Sequence, residues 1–174
     1  MKKMLAVVLL AGLAISSTAG AEEKLKIGYV DVRQVLVESN AGKQFQAAAE
    51  KEGKEKQSTF EAEGKKLQAL KEAYEKDQLT YSEAQKQSKQ RDLQDKVRAL
   101  NNSVNETQEE FRQREGAFTS KALKDIRAII ADVAKAQKVT LVLEKTEMSV
   151  LYSEEGMDMT AEVLKKYNAK SPAK

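Results

Sequence analysis

The side chains available for chemistry in this chain are charged and aromatic. There is no histidine and no cysteine among 174 residues. Without histidine a Ser-His-Asp nucleophilic site cannot form, and the commonest general base is absent. Lacking both residue types, the chain is without the commonest nitrogen and sulfur ligands of zinc, copper and haem. The close carboxylate pairs Glu50/Glu52, Glu109/Glu110 and Glu154/Glu155 would need to face each other across a cleft to hydrolyse a glycoside. Their setting, long runs rich in Lys, Glu and Gln or a polar turn, reads instead as solvated surface. Eight glycines are scattered, and neither phosphate-binding glycine pattern occurs. No enzyme is expected, and no catalytic residue, metal ligand or cofactor is assigned.

What remains is non-covalent chemistry. From Lys65 to Arg98 nine Lys/Arg stand against six acids, a modest excess that suits mild attraction to acidic partners or an anionic surface. Lys65, Lys66 and Arg91 are the candidates for that contact. Tyr74 and Tyr81 could add large, weakly directional contact area. The overall formal charge of +3 includes Lys2 and Lys3 of the leader. The remaining charges are interspersed in sign, so no nucleic-acid partner follows.

The elements that must position these residues fall into three parts. Residues 1–21 have the layout of a secretory signal peptide: Lys2-Lys3, an apolar run from Met4 to Ile15, then Ala19-Gly20-Ala21. The apolar run is too short to span about 30 Å of hydrocarbon. Cleavage after Ala21 and export across the inner membrane are expected, and with no cysteine there is nothing to acylate.

Residues 42–118 read as a helical arm. No proline interrupts Asn40 to Lys138. A first helix from Gly42 to near Asp77 carries Phe60, Leu67 and Tyr74 seven apart, with Tyr81 continuing the step and Leu70 between. That period keeps one stripe toward a partner helix. Asp77 to Ser82 is the reversal, with Thr80/Glu83 or Ser82/Gln85 as a capping box. The second helix carries Leu93, Val97, Leu100, Val104, Thr107 and Phe111 at alternating steps of four and three. Beyond Phe118 its apolar face broadens through Ile126, Ile129, Ile130 and Val133, which implies docking on a core. At 1.5 Å per residue the two helices are roughly 54 and 80 Å long, far beyond the ordinary helix of about 11–12 residues. Between Gln46 and Asp92 only Phe60, Leu67, Leu70, Tyr74, Leu79 and Tyr81 are large and apolar. The arm is therefore a thin two-helix hairpin.

Residues 22–41 and 119–174 supply a small β-containing body. Lys24–Val32, Val139–Leu143 and Ser149–Tyr152 alternate as strands, expected to meet in one sheet at the base of the hairpin. Asp31 should cap a short helical turn over Val32–Val37, and Asp158 or Thr160 a last helix containing Val163, Leu164 and Tyr167. Three short strands with open edges are a liability for a lone protomer. Self-association through Ile27, Tyr29, Val30, Leu141, Leu143, Val150 and Leu151 would remove it. The fold class is thus mostly α, a long antiparallel hairpin projecting from a small sheet.

Several segments together resemble the Skp/OmpH-like periplasmic chaperones. They are the leader, then Lys26-Ile-Gly-Tyr-Val-Asp-Val-Arg-Gln-Val-Leu36 entering a long helix at Asn40-Ala-Gly-Lys43. Near the other end come Ile129-Ile-Ala-Asp-Val-Ala-Lys135, Val139-Thr-Leu-Val-Leu143 and Asp158-Met-Thr-Ala-Glu-Val-Leu164. The resemblance implies a trimer whose strands form a β-barrel, with three arms enclosing unfolded outer-membrane proteins in the periplasm without ATP. It also brings contact with lipopolysaccharide, for which no motif here marks a site. Two other functions fit an exported coiled coil: a structural adaptor in the cell envelope, or an envelope lipid- or polysaccharide-binding protein. The second would call for a dense basic patch, which the sequence lacks.

Overall fold

A computed structural model describes residues 25–146 and 149–170. The leader, the first residues of the expected first strand and Ser171–Lys174 lie outside the described residues. The order is β1 (Ile27–Val30), α1 (Val32–Glu38), α2 (Asn40–Asp77), a 3-10 turn (Gln78–Thr80), α3 (Glu83–Gln137), β2 (Leu141–Glu144) and α4 (Thr160–Lys170).

Local chemistry sets each boundary. Asp31 Oδ1 accepts from Gln34 N–H at 2.7 Å, so the expected N-cap starts α1 and stops β1 one residue earlier. Ser39 Oγ accepts from Gly42 N–H at 3.0 Å and starts α2. A Cβ on Gly42 would lie 1.9 Å from the Leu36 carbonyl oxygen, so only glycine allows α1 and α2 to join this tightly. Of the two capping boxes open in the sequence, the chain uses Ser82/Gln85. Gln85 N–H donates to Ser82 Oγ at 3.3 Å and Ser82 N–H to Gln85 Oε1 at 2.9 Å. At the far end Lys138 turns left-handed (φ 55°), and Val139 N–H closes on the Ala134 carbonyl at 2.8 Å. Val139 is thereby spent on ending α3, and β2 begins at Leu141 rather than at Val139.

β1 and β2 pair in parallel, Ile27 opposite Leu141 and Tyr29 opposite Leu143. The crossover joining them is the whole hairpin. On its other edge β1 is bonded by the segment before α4: Tyr29 N–H donates to the Met157 carbonyl and Met159 N–H to that of Tyr29, each at 2.9 Å. The expected third strand, Ser149–Tyr152, does not form. Ser149 Oγ instead accepts from Thr146 N–H and donates to the Glu144 carbonyl, both at 2.7 Å. This serine turn ends β2, and β1 has both edges occupied, so Ser149–Tyr152 cannot add to β1; it does not pair with the outer edge of β2 either and makes no strand.

The core lies where α1, the last third of α3 and α4 meet β1. Val30, Val35, Ile126, Val133 and Val163 are fully buried there, with Met159 and Tyr167 closing it. The broad apolar face expected after Phe118 is the face that docks.

Candidate functional site

Outside this core the two long helices touch sparingly. On α2 the single buried residue is Gly42, at the base; on α3, short of Ala122, it is Thr107. Phe45 and Phe118 stack at the root of the hairpin, centroids 4.4 Å apart and planes 5° from parallel. A little further out Arg114 Nη1 meets Glu52 Oε2 at 2.6 Å, the ion pair that crosses from α3 to α2 among the described residues. Other arm pairs, such as Lys54–Glu50 and Lys96–Asp92, sit three or four residues apart on one helix. Such pairs are solvent-exposed and weak, and they support the helix they belong to, not the hairpin.

The expected seam is consequently open. Between the outer halves of α2 and α3 is a cleft of about 1160 Å³, walled by Leu67 and Tyr74 on one side and by Leu93, Val97 and Leu100 on the other. A second of about 500 Å³ lies between Phe60, Val104 and Phe111. A third, about 570 Å³, reaches from Phe111 to Phe45 and Leu36 at the body. Seven-residue spacing marks Phe60, Leu67 and Tyr74, which line these clefts, whereas Leu70, expected between them, is exposed and lines none, and Tyr81 falls in the reversal. The spacing carries no information on how far away the partner helix stands, which is why spacing alone does not reveal the cleft.

The structure brings two of the five candidate contact residues together. Tyr74 lines the outer cleft and stacks on Tyr81, centroids 6.2 Å apart, with Lys89 Nζ 4.9 Å from the Tyr81 ring centre. Lys65 and Lys66 are exposed on α2 and line no part of the cleft. Arg91 sits in a polar recess with Asp92 and Asp95. The basic and aromatic candidates therefore occupy different surfaces.

This arrangement of a strand, a long hairpin and a strand–helix return coincides with a sequence match over residues 26–167 to the OmpH-like outer membrane proteins. The chain belongs to the OmpH-like family. A solved structure of a candidate outer membrane chaperone (OmpH-like) from Caulobacter crescentus CB15 has the same fold. The TM-score is 0.75 at 19% identity, covering 83% of this chain and 84% of that one. No curated protein matches the chain by sequence.

In this OmpH-like chain the residues expected to join protomers divide into two sets. Tyr29 and Val30 are 9% and 0% exposed, held within the protomer's own core and sheet. Ile27 and Val150 are half-buried, whereas Leu141, Leu143 and Leu151 are 46%, 42% and 90% exposed along or beside the free edge of β2. On the opposite edge of β1, Asp158 bridges to Tyr29 and anchors α4, its Oδ1 accepting from Thr160 N–H at 2.9 Å. Burial pushes the Asp158 carboxyl upward. Hydrogen bonds from the Thr160 hydroxyl and amide and from Tyr29, with the Lys145 charge, outweigh it and leave the group below its usual range. Behind α4, a hydrogen bond from Lys170 at 2.7 Å holds Asp125 low, while burial raises the Tyr167 hydroxyl. These groups fasten the body, and none faces the cleft. Among the described residues no three His, Cys, Asp or Glu gather as a metal site, and no helix is long and apolar enough to cross a membrane.

Proposed function

We propose that this chain is an ATP-independent periplasmic holdase that keeps unfolded outer-membrane β-barrel proteins from aggregating. The observation that carries the reading is the open apolar seam. A hairpin of two helices leaves Leu67, Tyr74, Leu93 and Val97 around a cleft instead of closing over them. An unfolded β-barrel chain offers alternating apolar residues that need such cover in water. Capture without nucleotide must then be reversible and multivalent, shifting the client away from aggregates by mass action. Residues 1–21 serve as the cleaved export signal, 42–118 as the arm, and 22–41 with 119–174 as the body.

Self-association belongs to the same proposal. The outer edge of β2 is unpaired among the described residues, and exposed Leu141 and Leu143 on that strand and Leu151 near Leu143 add apolar surface. Such an edge invites another chain, and the family resemblance makes three copies and a closed barrel the natural assembly. Several arms around one barrel would enclose a client, with Lys65, Lys66 and Arg91 steering acidic clients or touching an anionic membrane surface or lipopolysaccharide.

Light scattering during dilution of several unrelated urea-unfolded β-barrel proteins tests the proposal. Suppression by the full chain at near-stoichiometric amounts is expected for all of them. Suppression that survives deletion of residues 53–109 would show that the arm is not the functional element.

A further inference from the structure

The three clefts are one groove. Phe111 walls both the inner and the middle one, and Leu100 and Asn101 wall both the middle and the outer one. On α2 the wall steps by threes and fours from Gly42 through Gly53, Phe60, Gly64 and Tyr74 to Gln78, a single helix face. Two of its glycines are unexplained by packing. A Cβ on Gly53 or Gly64 would meet nothing within 4 Å, although glycine weakens a helix interior relative to alanine. Gly53 and Gly64 are eleven residues apart, a spacing that returns to the same face every three turns. Their effect is to leave bare backbone along that wall and widen the groove.

The rim has its own repeat. Gln46, Gln57 and Gln68 follow at the same eleven-residue spacing on α2, and the latter two share their clefts with Gln94, Asn101 and Gln108 on α3. Gln57 and Gln68 each donate one N–H to a glutamate four residues on, at 2.9 and 2.8 Å. That contact orients the carboxamide and leaves its oxygen to accept. A carboxamide has both donors and acceptors, as a peptide backbone does at every residue. The charges lining the groove nearly cancel: Lys56, Lys71 and Arg98 against Glu50, Glu61, Glu75 and Glu115. A polyanion gains nothing here, whereas a neutral polar backbone with apolar side chains is matched.

We infer that this groove binds one polypeptide segment in extended conformation, with alternate apolar side chains entering the floor and backbone amides meeting the Gln/Asn rim. The inference rests on the holdase reading and gives it a place and a chemistry. From Gly42 to Gln78 the groove runs about 54 Å along α2, room for roughly 16 extended residues at ~3.3 Å each. A membrane-spanning strand of about 9–11 residues fits with its turn.

The test uses the full chain and a fluorescein-labelled ten-residue peptide of alternating Val and Thr, beside the same peptide with an N-methylated backbone. The groove is filled by Gly53→Leu with Gly64→Leu. Gly116→Leu is the control, because Gly116 is equally open on a long helix but lines no part of the groove. Leucine is the better helix former, so circular dichroism and thermal midpoint should not fall in either variant. The double variant should bind the alternating peptide about tenfold more weakly or worse, and Gly116→Leu within about twofold of the parent. The N-methylated peptide should bind as weakly to the parent as the normal peptide does to the double variant. Undiminished peptide binding by the double variant overturns the groove, and light scattering then reports separately whether holdase activity survives. Equal loss in Gly116→Leu assigns the effect to arm stiffness and also overturns it. A change of sedimenting mass in the double variant alone shows that a second copy occupies the groove, which likewise overturns it as a client site.

Discussion

Truncating Phe118 to alanine should loosen the arm from its root while leaving the body folded. Phe118 is half-buried, stacked on Phe45 at 4.4 Å, and rests against the edge of the core. Full burial of such a side chain contributes about 1.5–3 kcal/mol, so half-burial gives roughly 1–1.5. The aromatic pair adds about 0.5–1.5. Phe118 already borders a cavity, so neighbours have room to relax, and little is added for a new void. The expected cost is therefore about 1.5–3 kcal/mol, roughly a ten- to hundredfold rise in the opening of the arm root. Native-state hydrogen exchange read by mass spectrometry resolves where it falls. Amides from about residue 43 to 60 and 100 to 117 should exchange faster by that factor, those around Ile126 to Val133 much less. Phe118→Leu should restore most of the protection. An equal rise in both regions would mean that arm and body open as one cooperative unit, and the division drawn at Phe118 would be refuted.

Leu141→Asp should abolish self-association in a sedimentation equilibrium run. Because Leu141 is 46% exposed in the protomer, the helical circular dichroism should stay unchanged; a protein that unfolds instead would place Leu141 in the protomer's own core. Changing Lys65, Lys66 and Arg91 together to Gln should slow client capture about three- to tenfold at low salt, with release unaltered. The difference should vanish by about 0.5 M salt, where the Debye length is only a few ångströms; a salt-independent loss would indicate direct contact. Asp158 supplies a pH dependence. Its folded pKa lies below the usual 3.8, so its contribution is complete above that value and is lost as pH falls through the lower folded value. The thermal midpoint of the parent should drop on acidification below about pH 4, and Asp158→Asn should start lower and flatten that drop. An identical acid profile in both proteins would mean that Asp158 does not fasten α4.

Much of the fold is legible in the sequence because it depends on local chemistry. The Ser82/Gln85 cap, the Asp31 cap and the broadening face at Ile126–Val133 each state a boundary or a face without reference to distant residues. Ser149–Tyr152 shows the limit. Its alternation is that of a strand, but residues 157–159 occupy the edge that β1 had left and the Thr146–Ser149 turn leads the chain away from β2. Tyr29 and Val30 show the same limit for the interface. Both are apolar enough to join protomers, yet the docking of α4, set by contacts more than a hundred residues apart, places them inside. At the candidate site, the stripes on α2 and α3 can be read, whereas their separation cannot. Glycines that look scattered along the chain acquire meaning only once three clefts are seen to share walls.

The distribution of contacts along the molecule suits the reversible capture proposed for it. The body holds its shape through a cluster of fully buried Val and Ile. Along the arm, cohesion between helices comes from the Phe45–Phe118 stack, the Glu52–Arg114 pair, Thr107 and half-buried side chains such as Phe60, Leu67, Leu100 and Phe111, with the Tyr74–Tyr81 stack at the reversal. Each helix is meanwhile supported along its own length by pairs such as Lys54–Glu50 and Lys71–Glu75. Such an arm keeps its helices while the gap between them adjusts, since little is lost when the seam widens. A closed leucine zipper would be more stable and would have no surface to offer, because a client would first have to break contacts as good as those it makes. With the seam already open, apolar area covered by the client is nearly all net gain, offset by the ordering of its chain. Affinity per segment stays modest, as release without ATP requires. Under the proposed function, retention would come from several segments held at once by several arms, which would make assembly at the β2 edge as much a part of binding as the groove.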